Sequence, residues 1–360
     1  MAYEDKYLEF EQYIRATESE PKERAELWQT AIGLQKVDGL SVSDYLIETA
    51  KKHIEGEVSI DDVDALISTY YKSEAAREIP EDMKEADEVS KNIVRVLSEP
   101  SFSFSVQGLA GLHRRIFKGV MKHAGDFRQY NITKKEWVLD GGTVLYGPYE
   151  DLVRTIEYDL EQERNFRYKG LTQIQIIEHL ARFISGIWQI HPFPEGNTRT
   201  TAVFLIKYLR SMDIPATNDM FKEHSWYFRN ALVRANYRNA LKGIEPTIEY
   251  LVLFLRNLIV GENYELKNRS LHIRWNEAKP QNEVSEDAKP QNDAPKPQLT
   301  VKEKSVVDIM TGNPRVSIDE IASATGISDS TIDRIIKSLK GKGIIERKGQ
   351  KNNSRWVVKG

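Results

Sequence analysis

Between His191 and Thr200 the chain reads HPFPEGNTRT, which sets an imidazole, a carboxylate, a glycine, a carboxamide and a guanidinium within ten residues. Each type suits phosphate chemistry. A histidine with an ordinary pKa near ~6.5 is a neutral base around neutral pH, which fits His191 for proton abstraction. Glu195 is a hard oxygen ligand of the kind that shares a magnesium ion with phosphate oxygens. Arg199 carries a fixed charge and a two-pronged donor set. The residue types alone leave a purely structural His-Pro-Phe loop open as the alternative.

The flanking segments must hold these groups. From 171 to 190, Ile174, Ile177, Leu180, Ile184, Ile187 and Trp188 recur at helical spacing, which predicts an amphipathic helix. Pro192 ends it, because the residue before a proline is pushed out of the α region. A second helix is predicted from about Asn197, with Val203, Phe204, Ile206 and Leu209 turned to a core. Its first-turn amides lack intrahelical partners and, with the helix dipole, form an anion cradle. Gly196 lets the backbone approach that anion closely.

The stretch resembles the signature of the Fic family, HxFx[DE]GNGRxxR. His191, Phe193, Glu195, Gly196, Asn197 and Arg199 match, while Thr198 replaces the second glycine and Ala202 the second arginine. The resemblance covers roughly residues 80–262 and implies a mainly α fold, a Fic-type helical bundle with a small β-hairpin flap. It implies an enzyme, a nucleotidyltransferase that moves AMP from ATP to a hydroxyl side chain of a protein, the protein itself included, and releases pyrophosphate. His191 would take the proton of the target Ser, Thr or Tyr hydroxyl, and Glu195 would hold Mg2+ on the α- and β-phosphates. Gly196, Asn197 and Thr198 would line the nucleotide site, Arg199 would neutralise the departing pyrophosphate, and Phe193 would anchor the loop.

Other segments extend the resemblance. AGDFRQYNI (124–132) is similar to the AGxxR segment at the rim of the family's nucleotide pocket. In EWVLDGGTVLYGPY (136–149) short apolar runs flank Asp140-Gly141-Gly142, which predicts a hairpin. The family's flap lies there, and Val144, Leu145 and Tyr146 would hold the target by strand addition. Asn236 and Tyr237 in RNALVRANY fall where the family lines the adenine side of the pocket.

Residues 24–71 contain three helical patterns, with Gly39 and Gly56 at C-cap positions and a capping box from Ser59 to Asp62. This run resembles the antitoxin-like element of many Fic proteins, whose glutamate in [ST]xxxE[GN] pairs with the second arginine. In LQKVDG, Leu34 stands at the hydroxyl position and Asp38 at the glutamate, and the usual arginine is Ala202. A rival alignment on KKHIEG keeps Glu55 but places Lys51 at the hydroxyl position. Asp38 is the inhibitory candidate, and with its partner missing the expectation is a weak brake. A helical packing lobe without a regulatory role is the alternative.

The chain has 360 residues, 51 Lys+Arg against 54 Asp+Glu, a formal charge of −3 and no cysteine. The absence of cysteine excludes disulfides, cysteine nucleophiles and thiolate metal sites. No apolar run reaches the ~18–20 residues that span a bilayer, so a cytoplasmic location without membrane contact is expected. The domains read as 1–78, a helical lobe; 79–276, the catalytic domain; 277–299, a linker repeating AKPQN; and 300–360, which resembles a winged helix-turn-helix. Arg334, Lys337, Lys340, Lys342, Arg347, Lys348, Lys351 and Arg355 give this last part a basic excess suited to duplex DNA. Asp329 and Asp333 weaken it, and a protein-binding winged helix stays open. Two further readings remain at this level: a DNA-binding regulator whose Fic lobe senses nucleotide, and a transferase using another phosphate-containing donor. A homodimer is compatible with either.

Overall fold

The computed structural model describes residues 10–14, 19–214, 216 and 219–275, together with parts of 306–358. The Pro-rich stretch 277–299 lies outside the described residues. The chain divides into two compact units, Met1–Glu283 and Val284–Gly360.

The first unit is helical: α1 (Glu11–Ile14), α2 (Ser19–Gln35), α3 (Asp44–Ile54), α4 (Ile60–Tyr70), α5 (Glu81–Ser98), α6 (Val106–Ile116), α7 (Leu152–Asn165), α8 (Gln173–Ile190), α9 (Asn197–Ser211), α10 (Asp219–Ala235) and α11 (Glu249–Val260). Local signals explain several of these ends. Ser59 and Asp62 form the capping box that opens α4, and Thr172 with Gln175 does the same for α8. Gly39, left-handed at φ 71°, closes the short 3-10 turn that follows α2.

One hydrophobic core runs through this unit, from Trp28 and Leu34 in α2 to Phe204 in α9 and Phe254 in α11. The expected boundary near residue 78 therefore falls inside a continuous core. At Gly33 an added Cβ would lie 2.4 Å from the Cα of Lys222, so α2 and α10 meet backbone to backbone. The Ser225 hydroxyl donates to the Gly33 carbonyl at 2.8 Å across the same contact. On the other side, buried Asp87 of α5 accepts from the Ser43 amide at 2.9 Å and the Tyr71 hydroxyl at 2.6 Å, which ties the 43–71 segment to α5. The consequence is positional: the end of α2 is held fast against the mouth of the α8–α9 loop.

The expected hairpin over 136–149 folds as a closed loop without a strand ladder. Glu136 N–H donates to the Gly142 carbonyl at 2.9 Å and Gly141 N–H to the Glu136 carbonyl at 3.0 Å, with a 3-10 turn at Trp137–Leu139 between them. Asp140 and Gly141 are both left-handed, as a tight hairpin turn allows, but the 3-10 turn takes up Trp137–Leu139, the residues the first strand would have used. The second arm then runs along the end of α8, where Gly147 N–H reaches the Gln189 carbonyl at 3.2 Å.

The second unit has its own core, including Val306, Met310, Ile321, Ile332, Leu339 and Trp356. Ser317 and Glu320 make reciprocal capping bonds, as a helix opening there requires. The strands β1 (Ile345–Lys348) and β2 (Arg355–Val358) pair antiparallel, Ile345 opposite Val358 and Lys348 opposite Arg355, and form the wing. Of the expected basic surface, Lys337 is exposed, and Lys340 and Arg347 lie 5.4 and 5.1 Å from the Trp356 ring centroid. The expected turn at Thr325–Ser328, with Asp329, Asp333, Arg334, Lys342 and Lys351, lies outside the described residues.

Candidate active site

α8 ends where expected, and its last cap is His191 itself, left-handed at φ 51° and ψ 56°. A non-glycine residue in that region is uncommon and needs its surroundings to hold it. Arg128 does so. Its Nε donates to the His191 carbonyl at 2.8 Å and Nη1 to the Tyr130 carbonyl at 2.7 Å, while Nη2 bonds the Ile190 and Gly147 carbonyls. One guanidinium thus fixes the end of α8, the start of the loop that follows it and the second arm of the 136–147 loop together.

The His191 side chain is almost wholly buried. Its Nδ1 faces the Trp188 carbonyl at 3.3 Å, and since a carbonyl can only accept, Nδ1 carries the proton. Nε2 is left with its lone pair and no partner among the described residues. Burial, with Lys134, Arg229 and Arg128 as charged neighbours, holds the imidazole pKa well below its ordinary 6.5. His191 is therefore a neutral base whose free lone pair is on Nε2. The Tyr146 ring packs over it, with centroids 4.3 Å apart.

The loop after His191 is stapled internally. Asn197 Oδ1 accepts from the Phe193 amide at 3.0 Å and Nδ2 donates to the Phe193 carbonyl at 2.7 Å. His113 of α6 stacks on Phe193 at 3.8 Å, donates from Nε2 to the Glu195 carbonyl at 3.1 Å and accepts at Nδ1 from the Gly125 amide at 2.8 Å. Burial lowers the His113 pKa to about 4, so this ring stays neutral and structural. Gly196 is left-handed at φ 70°, and a Cβ there would sit 2.3 Å from the Phe117 ring. Its absent side chain makes room for Phe117. As the uncapped N-cap residue of α9, it also leaves the amides of Asn197, Thr198 and Arg199 without a side-chain partner at the cap.

Each remaining expected site residue has a definite place. The Thr198 hydroxyl accepts from the Trp188 indole at 2.9 Å, so this side chain faces α8 and the departure from glycine is absorbed by packing. Glu195 is exposed on the loop, and no group of three metal-ligating side chains occurs among the described residues. Val144 and Tyr146 are buried, while Leu145 is 84% exposed. Tyr237 is buried, its hydroxyl accepting from Asn239 Nδ2 at 3.1 Å and lying close to Gly142. Ala202 is in the core of α9.

Asp38 is the departure from expectation. With Ala202 in place of the usual arginine the expectation is a weak brake, yet Asp38 Oδ2 lies 2.8 Å from Arg199 Nε, an ion-pair distance without hydrogen-bond alignment. Arg199 is also held by Gln35 Oε1 at 3.0 Å and Glu85 Oε1 at 2.8 Å, with its guanidinium 4.7 Å above the Phe117 ring. The physical reason is the tight α2–α10 contact, which carries Gln35 and Asp38 to the only signature arginine that remains. Gln35, Glu85, His113, Lys134, Glu136 and Arg229 escaped the sequence reading, because none lies near the signature in sequence. Only the periodicity of α2, α5 and α10 hinted that these helices meet.

The Fic/DOC family profile matches residues 103–209, which contain α6 to the end of α9 and the whole loop just described, apart from its last helical residues. Residues 103–209 form a Fic/DOC domain. A winged helix-turn-helix DNA-binding profile matches residues 299–346. A Fic family protein from Desulfovibrio desulfuricans G20 aligns at 13% identity, covering 100% of this chain and 98% of its own, with a TM-score of 0.43. A Fic domain containing signaling protein from Bacteroides thetaiotaomicron aligns at 14% identity over 77% of this chain and 98% of its own, TM-score 0.45. BepC from Bartonella tribocorum, solved with bound AMPPNP, aligns at 19% over 51% and 90%, TM-score 0.38. Among curated proteins, the ribonucleoside-diphosphate reductase small chain of Ostreid herpesvirus 1 is 27% identical over 130 residues, 34% of this chain and 22% of that protein. No helix among the described residues is long and apolar enough to cross a membrane.

Proposed function

We propose that this chain is a Fic-type protein adenylyltransferase, transferring AMP from ATP to a hydroxyl side chain of a protein target or of itself. The observation that carries the reading is the free Nε2 of neutral His191 beside the uncapped start of α9 and Arg199. Nε2 takes the proton of the target hydroxyl, its oxygen bonds the α-phosphorus, and the bond to the bridging oxygen breaks to release pyrophosphate. The α9 amides face charge developing on the α-phosphate oxygens, and Arg199 takes charge on the leaving group. A lone exposed carboxylate fits a magnesium ion only as a site shared with substrate phosphates, so Glu195 would hold Mg2+ there, where it supplies charge neutralisation. Leu145 offers the target an exposed apolar contact on the arm that runs along α8.

The test is mass spectrometry of the full-length chain after incubation with magnesium and, separately, ATP, GTP, CTP and UTP. A gain of one AMP, greatest with ATP, is expected. Modification by another nucleotide alone points to a different donor, and no modification of the chain or of added protein targets removes the transferase reading.

The Asp38–Arg199 contact supports an inhibitory role for Asp38. Asp38→Ala is expected to raise self-modification about tenfold, the low end for a charge-assisted contact because the carboxylate is 41% exposed. An unchanged rate in Asp38→Ala would leave 24–71 as a packing lobe.

A DNA-binding role for the second unit is favoured by the wing and by exposed Lys337. Duplex DNA is expected to bind the full chain with an affinity that falls steeply with salt, because each neutralised phosphate releases counterions. Lys337→Glu is expected to weaken binding uniformly across sequences in fluorescence anisotropy, and no binding even at low salt assigns the unit to protein contacts.

A further inference from the structure

We infer that Lys134 and Arg229 supply the cationic grip on the donor's terminal phosphates that Ala202 cannot supply, and that the Asp38 carboxylate stands in for that anion here. The inference rests on the adenylyltransferase reading and adds to it two binding residues outside the signature.

Three observations converge. First, the opening turns of α9 have only Arg199 to offer, since Ala202 is a fully buried methyl, Lys207 and Arg210 are turned to the carbonyls of Val96, Glu99 and Leu97, and Arg199 is already shared among Gln35, Glu85 and Asp38. A triphosphate tail carries several negative charges, more than one shared guanidinium neutralises.

Second, Arg229 reaches the base through a short chain of contacts. Its Nη1 lies 2.7 Å from Glu136 Oε2, Tyr146 donates to Glu136 Oε1 at 3.1 Å, and the Tyr146 ring packs on His191. Glu136 is fully buried at its carboxylate and holds Arg229 in place from behind. An Arg at this position comes from α10, an element that the signature does not include.

Third, Lys134 lies two residues before Glu136 on the same segment, whose backbone is fixed by the Lys134 amide donating to Thr143 Oγ1 at 3.3 Å. Among the described residues no carboxylate comes within salt-bridge distance of its ammonium. Its charged neighbours are Asp38, Arg229, Glu136 and Glu195, and burial with Arg229 lowers its pKa while Asp38 works against that shift. Asp38 likewise favours the charged form of Arg229. A partly buried lysine near an arginine favours an anion between them. Glu136 is committed to Arg229, and the half-exposed Asp38 carboxylate pairs with Arg199 from the other lobe while its charge also acts on Lys134 and Arg229. A phosphate of higher charge entering there displaces it.

The test compares ATP with AMP, which lacks the terminal phosphates, by calorimetric titration of the full-length chain in magnesium. Asp38→Ala is expected to strengthen ATP binding and leave AMP binding unchanged. In that background, Lys134→Gln is expected to weaken ATP at least tenfold with AMP unchanged. The pair Arg229→Gln with Glu136→Gln, which removes both buried charges together, is expected to do the same, and the exposed Arg77→Ala to change neither. An ATP-to-AMP affinity ratio that survives both Lys134→Gln and the paired substitution overturns the inference while leaving the transferase reading intact. A parent chain that binds neither nucleotide overturns that reading, and this inference with it.

Discussion

Alanine at position 191 is expected to lower AMP transfer by about 10²–10⁴-fold, the usual contribution of a positioned general base, with the apparent affinity for ATP nearly unchanged. The asymmetry follows from which proton is moved. In the proposed reaction Nε2 would act on the target hydroxyl, whereas ATP would be held by the α9 amides and the surrounding cations. Saturating ATP therefore does not rescue the variant. The pH profile follows from the same environment: burial and three cationic neighbours depress the His191 pKa, so the base stays neutral as pH falls through 6.5. The acid limb of kcat/KM is expected below the ordinary histidine value, and binding of an anionic donor moves it upward. Equal transfer by wild type and His191→Ala, measured by intact mass over time, would falsify the assignment of the base.

Arg128→Ala is expected to cost both stability and rate. Removing this guanidinium strands four carbonyls, those of His191, Tyr130, Gly147 and Ile190, that it alone gathers. Charge-assisted bonds to buried carbonyls contribute roughly 1.5–3 kcal/mol each and do not add, so a loss of about 3–5 kcal/mol is expected in denaturant unfolding of the first unit. The left-handed His191 then loses its restraint, and kcat is expected to fall ten- to a hundredfold even where the variant is fully folded. Arg128→Lys keeps the charge but not the fork, and recovers stability better than rate. A folded Arg128→Ala chain with wild-type kcat would show that the loop holds itself.

The parts of this fold legible in the sequence are those set by local rules. Apolar spacing placed α8 and α9, Pro192 placed the break between them, and the Ser59 and Ser317 boxes placed helix starts. The site was legible only as far as one contiguous stretch could carry it. What Asn197 and Thr198 touch depended on side-chain direction, and their roles as a loop staple and as the acceptor for Trp188 were not visible. The Asp38–Arg199 contact depended on Gly33, where α2 approaches α10 closely enough to bring a distant aspartate to the loop. The ladder expected around Asp140-Gly141-Gly142 did not form because Trp137–Leu139 wind into a 3-10 turn in place of a strand, which no local turn signal announced.

The paired hydrogen bonds between Asn197 and Phe193, with the Trp188–Thr198 and His113–Glu195 links, close the loop into a ring. A ring of this kind does not fold over an arriving molecule. Access to the site then depends on its neighbours, Tyr146 packed on His191 and the Asp38 turn on Arg199, and these belong to different segments. For the transferase proposed above, two independent doors would let donor and acceptor arrive in either order, the donor past Asp38 and the acceptor past Tyr146. In rapid mixing, donor capture and group transfer are accordingly expected as separate phases, each slowed by stiffening its own door and indifferent to the other.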